Sequence, residues 1–97
     1  MSNPTYFIAE VEIQDAAALR PYLDAVGATI APFAPQMLIN GDNITPLEGD
    51  APQGKIVIMR FDSNEAALGW YTSPAYQAII AHRINATISR TYLVEGL

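Results

Sequence analysis

Apolar and polar residues alternate strictly at the start of the chain. In TYFIAEVEI (5–13), Phe7, Ala9, Val11 and Ile13 fall on one side and Tyr6, Ile8, Glu10 and Glu12 on the other, the two-residue period of a strand. The period then lengthens. Asp15 offers an N-cap, and Leu19, Tyr22, Leu23, Val26 and Ile30 recur on one helical face, which predicts a helix to about Ala31. Pro21 interrupts that stretch, and a proline inside a helix costs about 3 kcal/mol. The spacing therefore predicts a separate first turn and a main helix beginning near Pro21. Beyond Pro32 and Pro35, QMLIN (36–40) reads as a second strand, GDNITPLEGDAPQG (41–54) as a turn-rich connection and KIVIMRF (55–61) as a third strand. Asp62 followed by Glu65 resembles a capping box for a helix over Asn64 to Tyr71. Ser73 and Pro74 then fit the N-cap and first position of another helix, running to about Ala86, and ISRTYLVE (88–95) closes as a strand.

This order, strand, helix, two strands, helix pair, strand, predicts an α+β protein of ferredoxin-like βαββαβ topology: a four-stranded antiparallel sheet with its helices on one face. WYTSPAYQ (70–77) is one helix ending and another starting, so that two short helices follow a curved surface. Phe7, Ala9, Val11 and Ile13 with Val57, Met59 and Phe61 supply an apolar face for the helices. Tyr6, Ile8, Glu10 and Glu12 with Ile56, Ile58 and Arg60 form a mixed face, too apolar for solvent and too charged for a core. The sheet of a second copy would cover it, which predicts a homodimer.

A chain of 97 residues has room for one domain, here expected over 1–97 without repeat or linker. Hydrophobic residues make up 51% and charged residues 15%, below the roughly 25% usual for globular domains, which again suggests a covered face. Ten acidic side chains against five basic ones argue against nucleic acid and anionic lipid as partners. The absence of cysteine excludes disulfides, thiolate metal sites and a cysteine nucleophile. Neither a secretory h-region nor a run long enough to span a membrane is present, so a cytoplasmic location is expected.

GDAPQGK (49–55) fits the outline of a phosphate-binding loop, but Ile56 stands where Ser or Thr is needed and Lys55 opens a strand instead of a helix. Arg83 is more informative. On the last helix it shares an arc with Tyr76, Ile79, Ile80 and Thr87, placing a guanidinium on an apolar stripe. It serves either as half of a structural ion pair, as a side chain snorkelling to the sheet edge, or as the group that holds a carboxylate or enolate oxygen in a cleft between helices and sheet. His82, the sole histidine, is a candidate general base or a surface imidazole. Tyr71, Ser73 and Tyr76 are candidate substrate-binding groups, with Ser73 also fitted to cap a helix. Glu10, Glu12, Arg60 and Arg90 suit cross-strand or intersubunit ion pairs. Asp42, Glu48 and Asp50 match no calcium-loop spacing, so neither a metal nor another cofactor is expected.

Several motifs carry a resemblance across nearly the whole chain: W-Y-x-S-P-x-Y-Q at Trp70 to Gln77, L-E-G at Leu47 to Gly49, the strand ending in Phe61 before a capped helix, Arg83, and V-E-G at Val94 to Gly96. Together they resemble the family known as domain of unknown function 1330. That resemblance implies a dimeric α+β barrel, in which two ferredoxin-like sheets pack face to face, as in small monooxygenases and muconolactone isomerases. The family tends to carry an acidic residue where this chain has Arg60 and a basic one where it has Asn40, so a pocket built on those charges would differ here.

Three functions fit these features. One is a metal-free enzyme acting on a small carboxylate or enolizable substrate, with Arg83 stabilising negative charge and His82 or a tyrosine moving protons. The others are a noncatalytic small-molecule-binding module using the same cleft, and a purely structural homodimer.

Overall fold

The computed structural model describes residues 3–97. Its strands are β1 (Thr5–Ile13), β2 (Gln36–Gly41), β3 (Lys55–Phe61) and β4 (Thr87–Glu95). They form one antiparallel sheet in the order β2-β3-β1-β4, the arrangement that βαββαβ topology requires. The helices are α1 (Ala16–Ile30), α2 (Asn64–Tyr71), α3 (Pro74–Gln77) and α4 (Ile80–Ala86), with a 3₁₀ turn at Ala31–Phe33. The fold measures 37 × 35 × 15 Å, one helical layer on one sheet.

The alternation in β1 reaches the core as expected. Phe7, Ala9 and Val11 are buried beside Met59 and Phe61 of β3, under Ala67, Trp70 and Tyr76 from the helices. Ile13 is an exception, because the sheet runs past the helical layer there and leaves it 43% exposed. Trp70 is the centre of the packing. Its ring stacks on Phe61 at 5.8 Å, meets Phe7 edge-on at 5.1 Å and touches Tyr76 at 4.2 Å. The indole Nε1 donates to Thr29 Oγ1 at 3.1 Å, tying α2 to the end of α1.

That cluster explains WYTSPAYQ. Ser73 Oγ accepts from the Tyr76 amide at 3.2 Å and donates to the Trp70 carbonyl at 2.7 Å, closing α2 and opening α3 with one hydroxyl. The turn lets Trp70, Tyr71 and Tyr76 converge on one spot, which a straight helix would prevent.

Four local expectations need correction. Helix α1 is continuous through Pro21. Asp15 Oδ1 caps it by accepting from the Ala18 amide at 3.0 Å, and the missing N–H of Pro21 leaves the carbonyl of Ala17, an exposed residue, without its helical donor. The cap of α2 is Ser63, whose Oγ accepts from the Ala66 amide at 3.1 Å, and Asp62 instead lies 3.6 Å from Arg60. The stretch after Pro74 is two short helices separated at Ala78 and Ile79, not one. Strand β4 begins at Thr87, one residue earlier than expected, and β2 carries a bulge between Met37 and Ile39.

The other face of the sheet has no helix over it. Tyr6, Ile8, Ile56, Ile58 and Arg60 are half-buried by their neighbours alone, while Ile39, Ile88, Tyr92 and Val94 are exposed. Across it, Arg90 Nη2 donates to Glu10 Oε1 at 2.7 Å and the Tyr92 hydroxyl to Glu10 Oε2 at 2.8 Å. These contacts, Arg90 first, hold the Glu10 carboxyl below its ordinary pKa. The phosphate-loop mimic is a turn: Gly54 adopts φ +75°, and a Cβ there would collide with the Val11 carbonyl oxygen.

Candidate functional site

A cavity of about 110 Å³ lies between α1 and the helix-facing side of the sheet. Val11, Val57 and Met59 form its floor, Leu19, Tyr22 and Val26 its roof, and Trp70 one end. It reaches the surface beside Met37 and Asn40, because β2 projects beyond the helical layer and both residues are exposed.

Arg83 lines this cavity from α4, and its side chain is buried. The break at Ala78 and Ile79 keeps Tyr76, Ile79, Ile80 and Arg83 turned toward the sheet, so the arc expected from helical spacing survives the interruption. Nη1 of Arg83 donates to Ser89 Oγ on β4 at 2.6 Å, and the Thr87 hydroxyl, also buried, donates to the Arg83 carbonyl at 2.7 Å. Nε has no hydrogen-bond partner. Among the described residues no carboxylate lies within ion-pairing distance of the guanidinium. Arg83 is thus a buried cation at the wall of a cavity, bonded to a hydroxyl on the edge strand and, among the described residues, without a carboxylate partner.

Tyrosines surround it. The Tyr22 and Tyr76 hydroxyls are 2.8 Å apart, with their rings edge-on at 6.0 Å. Burial pushes the Tyr22 phenol well above its ordinary pKa, Tyr76 adds to the shift, and Arg83 opposes it in part. Burial disfavours the charged Arg83, but the oxygens of Tyr76, then Tyr22 and Tyr71, more than offset this and leave its pKa raised. At neutral pH the group is thus a fixed positive charge near the neutral Tyr22 phenol, an arrangement that can receive an oxygen anion.

The structure brings some of the predicted residues together and separates others. Tyr76 is buried behind Arg83, and Tyr71, half-buried, packs against it at 5.5 Å between ring centres. Ser73 is occupied as a cap. His82 is exposed and does not line the cavity. Two lining residues were missed by sequence reasoning, Tyr22 and Lys55. The signals were present: Tyr22 is the polar-tipped member of the α1 stripe, and Lys55 has the same parity along β3 as Val57 and Met59. Asn40 lines the mouth, whereas Arg60 belongs to the opposite face, opposite Tyr6.

Comparison with known proteins defines the class first. A family model described as domain of unknown function (DUF1330) matches residues 4–97, and the chain belongs to that family. No curated protein matches it in sequence. Among solved structures it is similar to RPA0582, a protein of unknown function from Rhodopseudomonas palustris, with TM-score 0.79 and 19% identity over 100% of this chain and 85% of that one. It is also similar to a dimeric ferredoxin-like protein of unknown function from Thermobifida fusca, with TM-score 0.66 and 13% identity over 99% and 93% of the two chains. SnoaB, a cofactor-independent oxygenase from Streptomyces nogalater, matches with TM-score 0.66 and 12% identity over 99% and 95%. At these identities the likeness establishes the ferredoxin-like α+β fold.

Proposed function

We propose that the protein holds a small organic anion, a carboxylate or the enolate of a carbonyl compound, in the cavity beneath α1, with Arg83 as its counter-ion. The buried guanidinium without a carboxylate carries this reading. Its burial is compensated by tyrosine oxygens, and a bound anion would supply the full counter-charge that the cavity wall lacks. Binding is favoured over acid–base turnover by the lining itself. Among the described residues its ionisable side chains are Tyr22, Lys55 and Arg83, with neither a carboxylate nor an imidazole to serve as a base working near neutral pH. An enzyme at this site would act by stabilising an enolate oxygen at Arg83, on a substrate acidic enough to dispense with a protein base.

The working assembly in this reading is a homodimer formed through the uncovered face of the sheet. Its support is the row of exposed Ile39, Ile88, Tyr92 and Val94 around half-buried isoleucines. Equilibrium sedimentation checks it, and a monomer at micromolar concentration would remove it.

The test of the site is a melting experiment with small carboxylates, on the wild type and on Arg83→Gln. A ligand bound by the folded state alone raises Tm. The expected result is a concentration-dependent rise in the wild type that the substitution abolishes. No rise with any carboxylate, or a rise that persists in Arg83→Gln, overturns the reading.

A further inference from the structure

We infer that the anion held in this cavity carries two negative groups set across a short apolar span, as in a dicarboxylate of about four to six carbons. The inference rests on the reading that Arg83 binds an anion, and adds the class of molecule.

The distribution of cations supports it. The chain has five basic side chains, and three are matched to carboxylates: Arg20 to Asp24 at 3.1 Å, Arg60 to Asp62 at 3.6 Å and Arg90 to Glu10 at 2.7 Å. The other two, Lys55 and Arg83, have no carboxylate within 4.0 Å among the described residues, and both line this one cavity. No acidic side chain lines it, although acidic residues outnumber basic ones ten to five. In a protein of net charge −5, a cavity whose charged side chains are both positive is selective for negative charge.

Sheet geometry sets the spacing. Lys55 on β3, Val11 on β1 and Ser89 on β4 stand opposite one another in a single row. Arg83 is fastened to Ser89 at one end of the row, and Lys55 is the other end. Neighbouring strands are about 4.8 Å apart, so the Lys55 and Ser89 backbones are about 10 Å apart with the Val11 side chain in the gap between them, a gap that the flexible lysine stem can shorten. A short dianion lying across that gap can reach a cation at either end. The floor under that gap is apolar, formed by Val11 and Val57, and suits methylenes instead of hydroxyls. Lys55 is half-buried near the open side, so one anionic group enters fully and the second stays near the surface.

Calorimetric titration with succinate, glutarate and adipate, each compared with its own monoamide at fixed ionic strength, tests this. The monoamide keeps length and shape but loses one charge. At least one diacid should bind about tenfold more tightly than its monoamide. Lys55→Met should reduce that ratio to twofold or less, and Lys55→Gln should repeat the result without an added apolar group. Arg83→Gln should abolish binding of both. Equal affinity for diacid and monoamide in the wild type, or an undiminished preference in both Lys55 variants, overturns the inference and leaves carboxylate binding at Arg83 standing. No binding of any of the six compounds overturns both.

Discussion

Replacing Arg83 by methionine should leave the ligand-free protein about as stable as the wild type, the opposite of what a structural arginine would show. Methionine fills a similar unbranched volume and is free of charge. The substitution removes the 2.6 Å bond to Ser89, a charge-assisted hydrogen bond worth about 1.5–3 kcal/mol. Ser89 Oγ is not left alone, because the Thr87 hydroxyl lies 3.2 Å away, and the Thr87 bond to residue 83 uses a backbone carbonyl that methionine retains. Against that loss stands the removal of a desolvated cation, whose penalty is several kcal/mol when no counter-charge is present. The tyrosine oxygens that leave the Arg83 pKa raised offset much of that penalty, so the balance lies within about 1 kcal/mol of zero, and each kcal/mol moves Tm by about 4–8 °C in a domain of this size. Urea unfolding at one protomer concentration measures it, since a shift in midpoint at constant slope reports stability alone. A destabilisation above about 1 kcal/mol would show that Arg83 holds the fold together, and the argument for an anion site would lose its foundation.

Three further substitutions probe the frame around the cavity. Gly54→Ala combines a left-handed φ with a collision at the Val11 carbonyl and should cost about 2–4 kcal/mol in urea unfolding; a cost below about 0.5 kcal/mol would mean that the turn rearranges freely. Thr29→Val removes the acceptor of the buried Trp70 indole and should cost about 1–3 kcal/mol, with a shifted tryptophan emission spectrum as the second readout. Glu10 has its pKa lowered by Arg90 and Tyr92, so its contribution to stability is complete above the ordinary carboxylate pKa of 4.5 and is lost as pH falls below it. Glu10→Gln should flatten the pH dependence of stability in that acid window, and an unchanged acid-unfolding curve would show that the cross-strand contacts contribute nothing.

The topology was legible because two periodicities carry it. The alternation in β1 and β3 and the stripe on α1 are each imposed by burial, and burial is what the finished sheet and helices display. What escaped was local competition between equally suitable residues. Asp62 and Ser63 both qualify as caps for α2, and the helix begins one residue later than an Asp62 cap would have it, with Ser63 Oγ accepting from the Ala66 amide and Asp62 left exposed. Pro21 looked prohibitive because the cost of an internal proline is local, whereas the packing of Tyr22, Val26 and Ile30 on the core, which outweighs it, belongs to the finished fold. At the site, Arg83 stood out in the sequence since a charge on an apolar stripe demands explanation. Lys55 did not, because a lysine at the start of a strand next to a long loop looks like an ordinary solvated residue. Its alignment with Ser89 is a property of strand order, and β3 and β4 become second neighbours only through β1.

The bulge in β2 has a consequence for crowded solutions. Every residue of that border strand is exposed, and a regular border of six residues would invite another chain to zip onto it. The irregularity between Met37 and Ile39 breaks the spacing of its outward amides and carbonyls, so an incoming ribbon finds matching partners for only half its length. Lateral growth into filaments is thereby discouraged.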